Sequence, residues 1–181
     1  MCGITGIWHF NEAQIDNVEI SNFNNSLSHR GPDGGYVYID HDNNIGLGHR
    51  RLSIIDLSKK GNQPMQSKDK RYWIVYNGEV YNFIELRKEL KELGHIFESD
   101  SDTEVILEAY SEWGIKCLSK FNGMWAFAIW DKKNKKLFLA RDRFGVKPLH
   151  YLCNENMFAF ASETISFKYL NNYHRKINDN N

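Results

Sequence analysis

Cysteine is scarce in the 181-residue chain: Cys2, Cys117 and Cys153 are the only three, and no two of them stand in a CxxC pair or at another paired spacing. That argues against a disulfide framework and suits a reducing compartment. An excess of one charge is also missing. Lys plus Arg and Asp plus Glu both number 23, so the formal net charge is zero. General binding to nucleic acid or to an anionic membrane needs a basic surface, which this balance does not provide. The longest unbroken apolar run, Met124 to Trp130, is far too short to span a bilayer. The N-terminus lacks the basic and apolar regions of a signal peptide, which makes the cytoplasm the expected location. The seven histidines show no ligand spacing, and HExxH is absent, so no metal site is expected. Neither GxxxxGK[ST] nor GxGxxG occurs, so a phosphate cradle of those kinds is unsupported.

What is present fits one soluble globular domain with a substantial core: 41% of the residues are hydrophobic and 25% charged. Strand signals dominate both ends. Gly3 to Phe10 is short and apolar. Gly35 to Ile39 and Ile45 to His49 flank the turn-like Asp40 to Asn44 and predict a hairpin. Tyr72 to Tyr76 is rich in β-branched and aromatic residues. Met124 to Trp130 with Leu137 to Ala140 predicts a second hairpin, and Leu149 to Leu152 with Met157 to Ala161 a third. The middle is helical. Asn82 with Glu85 three residues on resembles a capping box, Ile84, Leu86, Leu90 and Leu93 recur near helical spacing, and Gly94 supplies a stop. A second helix is expected to begin at Ser101 or Asp102, to carry Val105, Ile106, Ala109, Tyr110 and Trp113 on one face, and to end at Gly114. Strands, two helices and then strands predict an α+β layered fold.

Cys2 follows the initiator Met and precedes Gly3. Removal of Met1 would leave one residue with both a thiol and a free α-amine. The amine pKa lies near 7.7–8.0 and the thiol pKa near 8.5, so a neutral amine can take the thiol proton near physiological pH. Nucleophile and base would then reside in one residue. Position alone favours an incidental second residue. Tyr76-Asn77-Gly78-Glu79 follows a predicted strand. The Asn77 amide and the Gly78 N–H are suitable donors to an oxyanion, although an isolated Asn-Gly is usually a turn. Either Arg50 or Arg51 could hold a carboxylate in its guanidinium fork. Asp102 could accept from an ammonium group, cap a helix, or do both. His29-Arg30-Gly31-Pro32-Asp33 reads as a loop with a polar purpose. In Arg141 to Pro148, a structural role around Asp142 is the simpler reading.

Taken together these segments resemble the class II (N-terminal nucleophile) glutamine amidotransferase domain, in particular that of glutamine-hydrolysing asparagine synthetases. The matching text is Met-Cys-Gly-Ile at 1–4, His-Arg-Gly-Pro-Asp at 29–33 and Arg-Leu-Ser-Ile-Ile-Asp at 51–56. It continues with Tyr-Asn-Gly-Glu-Val-Tyr-Asn at 76–82, Ser-Asp-Thr-Glu-Val-Ile-Leu at 101–107, and the stretches 121–131 and 139–151. The resemblance implies a four-layer αββα sandwich, two antiparallel sheets between helices. It implies Cys2 as nucleophile and Asn77 and Gly78 as the oxyanion hole. L-Glutamine would be held by Arg51, rather than Arg50, with Glu79, Asp102, Ile54 and Ile55, while Arg30 and Asp33 shape the site. The glutaminase step would need no cofactor. ATP and Mg are expected only in a synthetase domain or partner that receives the ammonia. That domain's Ser-Gly-Gly-x-Asp-Ser loop is absent from this chain. The amidotransferase domain is expected over 1–165, with 166–181 a polar tail or the start of a linker. A homo-oligomer is left open. A non-catalytic glutamine-binding regulatory module is the alternative, and the intact set of Cys2, Arg51, Asn77, Gly78 and Asp102 argues for the enzyme.

Overall fold

The computed structural model describes residues 1–11, 13–53, 58–171 and 173. Nine strands are described: β1 (Gly3–His9), β2 (Gly34–Asp40), β3 (Ile45–Arg51), β4 (Met65–Gln66), β5 (Tyr72–Val80), β6 (Gly123–Asp131), β7 (Lys136–Arg141), β8 (His150–Cys153) and β9 (Met157–Ala161). The helices are α1 (Asn17–Asn25), α2 (Phe83–Glu92) and α3 (Asp102–Trp113). The strands form a five-stranded sheet ordered β2-β3-β1-β9-β8 and a four-stranded sheet ordered β4-β5-β6-β7, with every pairing antiparallel.

Three apolar clusters separate four layers. Ile7, Ile20, Phe23, Ala159 and Phe167 join the first sheet to α1 and to the 3-10 turn Thr164–Tyr169. Ile4, Ile45, Leu47, Val75, Trp130 and Phe160 fill the gap between the sheets. Tyr76, Leu86, Leu90, Val105, Ile106 and Phe127 join the second sheet to α2 and α3. This is the αββα sandwich that the resemblance implies. Among the described residues no helix is long and apolar enough to cross a membrane.

The period-two alternation of a strand explains how β3 serves both of its faces. An added Cβ at Gly46 would meet Ile15 and Ile20, and one at Gly48 would meet Asn24, so these glycines admit α1 closely. Ile45, Leu47, His49 and Arg51 therefore face the opposite way, into the gap between the sheets. On the neighbouring strand Ile4 is paired with His49, and Cys2 lies two residues before Ile4, on the same face.

Several local expectations are corrected. The 17–25 helix was not read from the sequence. Its N-cap is Asp16, whose side chain accepts from the Val18 N–H at 2.9 Å. The Asn82 box does not form. The Asn82 side chain donates to Lys120 O at 2.9 Å and accepts from the Asn122 N–H at 2.9 Å, which ties the start of α2 to the loop before β6. Asn77-Gly78 is not a turn, because β5 continues to Val80 in register with β6. Beyond β9, Phe167 and Leu170 are buried against the first sheet.

Candidate active site

The polar end of the gap opens as a cleft lined by Cys2, His49, Arg51, Gly78, Glu79 and Asp102, among others. The strands and the start of α3 bring these sequence-distant residues together. Cys2 is held from two sides. Its carbonyl accepts from Arg30 Nε at 3.0 Å. Its Sγ lies 3.4 Å from the Leu52 nitrogen and 3.6 Å from the Leu52 oxygen. Arg30 is anchored in turn by Glu163 at 2.8 Å. Burial pushes the Cys2 thiol above its ordinary pKa, although the Leu52 N–H, the chain's amino terminus and Arg51 act the other way. Burial thus favours the neutral thiol at Cys2.

The loop before β2 is fitted to β3. An added Cβ at Gly31 would lie 2.3 Å from the Arg50 backbone, so only glycine allows this approach. Asp33 accepts from the Ser53 N–H at 2.8 Å, and the Asp33 N–H donates to Arg51 O at 3.0 Å. These contacts fix the chain on either side of Arg51. Arg50 and Arg51 have opposite fates. Arg50 donates to Gly31 O and Asn25 on the α1 side. Arg51 lines the cleft and donates to Ser58 O at 2.8 Å and Asn62 Oδ1 at 2.6 Å.

The outer edge of β5 carries the main asymmetry of the site. β4 covers that edge only at Trp73 and Ile74. Beyond it, the Tyr76 N–H donates to Gln63 Oε1 at 2.6 Å and the Val80 N–H donates to Asp102 Oδ2 at 3.1 Å. Alternation places the Gly78 N–H on the same edge, between these two. Outside the strand ladders it has no backbone acceptor among the described residues. Asn77 points to the gap between the sheets. It is 2% exposed, and its Nδ2 has no hydrogen-bond partner among the described residues. Asn77 and Gly78 are adjacent on β5 and together supply a side-chain and a backbone donor beside the cleft. Gly78 has no alternative residue, since an added Cβ would lie 2.3 Å from Met124 O of β6.

Asp102 opens α3 without capping it. The cap is Ser101, whose side chain accepts from the Thr103 N–H at 3.0 Å. The Asp102 carboxylate is thus available to the cleft, where it accepts from Tyr76 Oη at 2.8 Å. Burial raises its pKa, while the hydrogen bonds from Tyr76 and Val80 hold it down. Glu104 turns away from the cleft to accept from the Glu98 and Ser99 N–H groups at 2.8 Å. Ile54 and Ile55 lie outside the described residues.

Residues that no motif identified complete the site. His49 is wholly buried and donates through Nε2 to Tyr76 O at 3.1 Å, linking the two sheets. Burial lowers its pKa to about 3, so it stays neutral, and its Nδ1 is an acceptor with no partner among the described residues. The Arg141–Pro148 loop is built around Asp142, which accepts from the N–H groups of Trp125, Phe144, Val146 and Lys147. All four are bonds from backbone N–H groups, a structural role for Asp142. The loop leaves Lys147 buried, with Nζ 3.6 Å from Met1 Sδ.

Comparison with known proteins agrees with this geometry. A family model described as a glutamine amidotransferase domain matches residues 1–181. The chain is 47% identical over 167 residues to asparagine synthetase [glutamine-hydrolyzing] 1 of Bacillus subtilis, covering 90% of this chain and 26% of that protein. It is 45% identical over 179 residues to a putative asparagine synthetase [glutamine-hydrolyzing] 2 of Methanocaldococcus jannaschii, covering 90% of this chain and 34% of that one. It thus spans about a quarter to a third of the length of these relatives. Among solved structures, the glutamine phosphoribosylpyrophosphate amidotransferase of B. subtilis superposes with a TM-score of 0.75 at 23% identity, over 93% of this chain and 43% of that one. At that identity the likeness speaks for the fold.

Proposed function

The chain belongs to the glutamine amidotransferase domain family, and we propose that it hydrolyses the side-chain amide of L-glutamine with Cys2 as nucleophile. The observation that carries this reading is the convergence of Cys2, Arg51, Gly78 and Asp102 on one cleft, with Asn77 next to Gly78 on β5. A carboxamide under attack develops negative charge on oxygen, and preorganised donors in a water-poor site stabilise it strongly.

Met1 is 56% exposed and open to removal. Once it is gone, the neutral α-amine of Cys2 takes the thiol proton and Sγ attacks the amide carbon. Asn77 and Gly78 hold the oxyanion. The protonated amine gives its proton to the departing nitrogen, and ammonia leaves a γ-glutamyl thioester on Cys2. Water, with the amine again as base, then releases glutamate and restores the thiol. Arg30 grips the carbonyl of Cys2 itself, so this anchor survives loss of Met1. Arg51 holds the α-carboxylate of glutamine, and Asp102 and Glu79 hold its α-ammonium.

The curated relatives are named as glutamine-hydrolysing asparagine synthetases. The ammonia is accordingly assigned to an ATP-dependent synthetase domain or subunit that makes asparagine or a related amide, with ATP and Mg used there and the assembly in the cytoplasm. The test is glutamate and ammonia release from glutamine by the Met1-processed chain, its processing checked by intact mass, beside Cys2→Ala. Turnover abolished by the substitution is expected. Turnover that survives it would remove Cys2 from the chemistry.

A further inference from the structure

Gln63 belongs to no motif, yet it stands where three parts of the cleft meet. It is 5% exposed and lines the cleft. Its Oε1 accepts from the Tyr76 N–H at 2.6 Å, and its Nε2 donates to Thr103 Oγ1 at 3.1 Å. Its neighbour Asn62 accepts from Arg51 at 2.6 Å. One dipeptide therefore touches the arginine assigned to the α-carboxylate, the strand that carries the oxyanion donors, and the first turn of the helix that carries Asp102.

We infer that Gln63 is a positioning residue for the oxyanion hole, acting through the Tyr76 N–H. The inference rests on the glutaminase reading above. β5 loses its neighbour after Ile74, where β4 ends. A strand edge without a partner is free to shift or to take up water. Gln63 closes this edge one step before Gly78, and Asp102 closes it one step after. His49 holds the Tyr76 carbonyl from the facing sheet. Tyr76 is thus fixed at both backbone polar groups, and the Gly78 N–H is left open at a defined place. The Thr103 bond keeps the Gln63 amide oriented, because an amide whose nitrogen is engaged presents its oxygen to the strand.

Two variants test this. Gln63→Leu keeps the bulk and removes both bonds. Gln63→Glu keeps an oxygen for the Tyr76 N–H and loses the donor to Thr103. In Gln63→Leu, kcat for glutamine is expected to fall about tenfold or more with KM changed much less, since small misplacements act on the transition state. Gln63→Glu should recover most of kcat. Amide hydrogen exchange by NMR supplies a readout independent of turnover: Tyr76 should lose protection in Gln63→Leu and keep it in Gln63→Glu. Unchanged Tyr76 protection in Gln63→Leu overturns the inference whatever the activity. So does a kcat equal to that of the parent with only a lower melting temperature. A processed parent that does not turn over glutamine would instead overturn the glutaminase reading, and with it the role claimed for Gln63, while the exchange data would still decide whether Gln63 holds β5.

Discussion

The gap between the two sheets has two unlike ends. Along β3 the inward residues run Ile45, Leu47, His49, Arg51; along β1, from its far end, they run Trp8, Ile4 and then Cys2; along β5 they run Trp73, Val75, Asn77. At the apolar end the aromatic rings close on one another. Trp8 meets Trp130 edge-on with centroids 5.4 Å apart, and Tyr38 stacks on Trp73 at 3.7 Å. At the other end the same layer holds a thiol, a neutral imidazole, a guanidinium and an unpaired amide. One end is filled by packed apolar and aromatic side chains, and the other by polar ones. The difference shows how a single layer can divide stability from chemistry along the length of its strands.

The comparison breaks if substitutions at the two ends have the same consequence. Trp130→Ala at the apolar end should have the largest effect. Removing a wholly buried Trp costs about 3–5 kcal/mol of stability, read by chemical denaturation, and the remaining folded protein should keep its kcat. Asn77→Ala should do the reverse. Losing one oxyanion donor lowers kcat about a hundred- to a thousand-fold, with KM nearly constant. Because Asn77 Nδ2 is buried without a partner among the described residues, its removal should leave the denaturation midpoint unchanged or raised. Arg51→Lys sharpens the polar end further. A point charge cannot reproduce a fork on the α-carboxylate, and at roughly 1.5–3 kcal/mol for a charged hydrogen bond KM for glutamine should rise about ten- to a hundredfold.

His49 joins the two ends, through an effect that depends on pH. Its folded pKa is about 3, against 6.5 as its ordinary value. Between these values the unfolded chain binds a proton that the folded chain refuses. Its contribution is therefore intact above about pH 6.5 and declines as the pH falls toward 3, by at most about 1.4 kcal/mol per pH unit. His49→Asn should flatten this part of the slope in urea titrations run between pH 6.5 and 4. An unchanged slope would mean that the imidazole is reached by water.

Much of this division was legible in the sequence. The hairpins announced themselves through alternation and turn residues, and the resemblance singled out Cys2, Arg51, Gly78 and Asp102, which the fold brings to one cleft. The 17–25 helix stayed hidden for a physical reason. Its inward face buries Glu19 and Asn24, which interrupts the apolar period that identifies a helix. Asn77-Gly78 reads locally as a turn, and pairing with β6 overrides that preference. Asn82 reads as a cap, yet its side chain is spent on Lys120 and Asn122, 38 and 40 residues away. Gln63 and His49 left no signal at all, since both act on the backbone of Tyr76 and any hydrogen-bonding side chain at either position reads alike before folding.

The most direct test of the polar end as a covalent glutamine site is intact-mass analysis of the Met1-processed chain, acid-quenched during turnover of glutamine. The account predicts a population heavier by one γ-glutamyl group, with the adduct mapped to Cys2 by peptide sequencing and enriched when the thioester is trapped at low pH. Steady release of glutamate with no adduct, or an adduct that maps elsewhere or persists in Cys2→Ala, would contradict it.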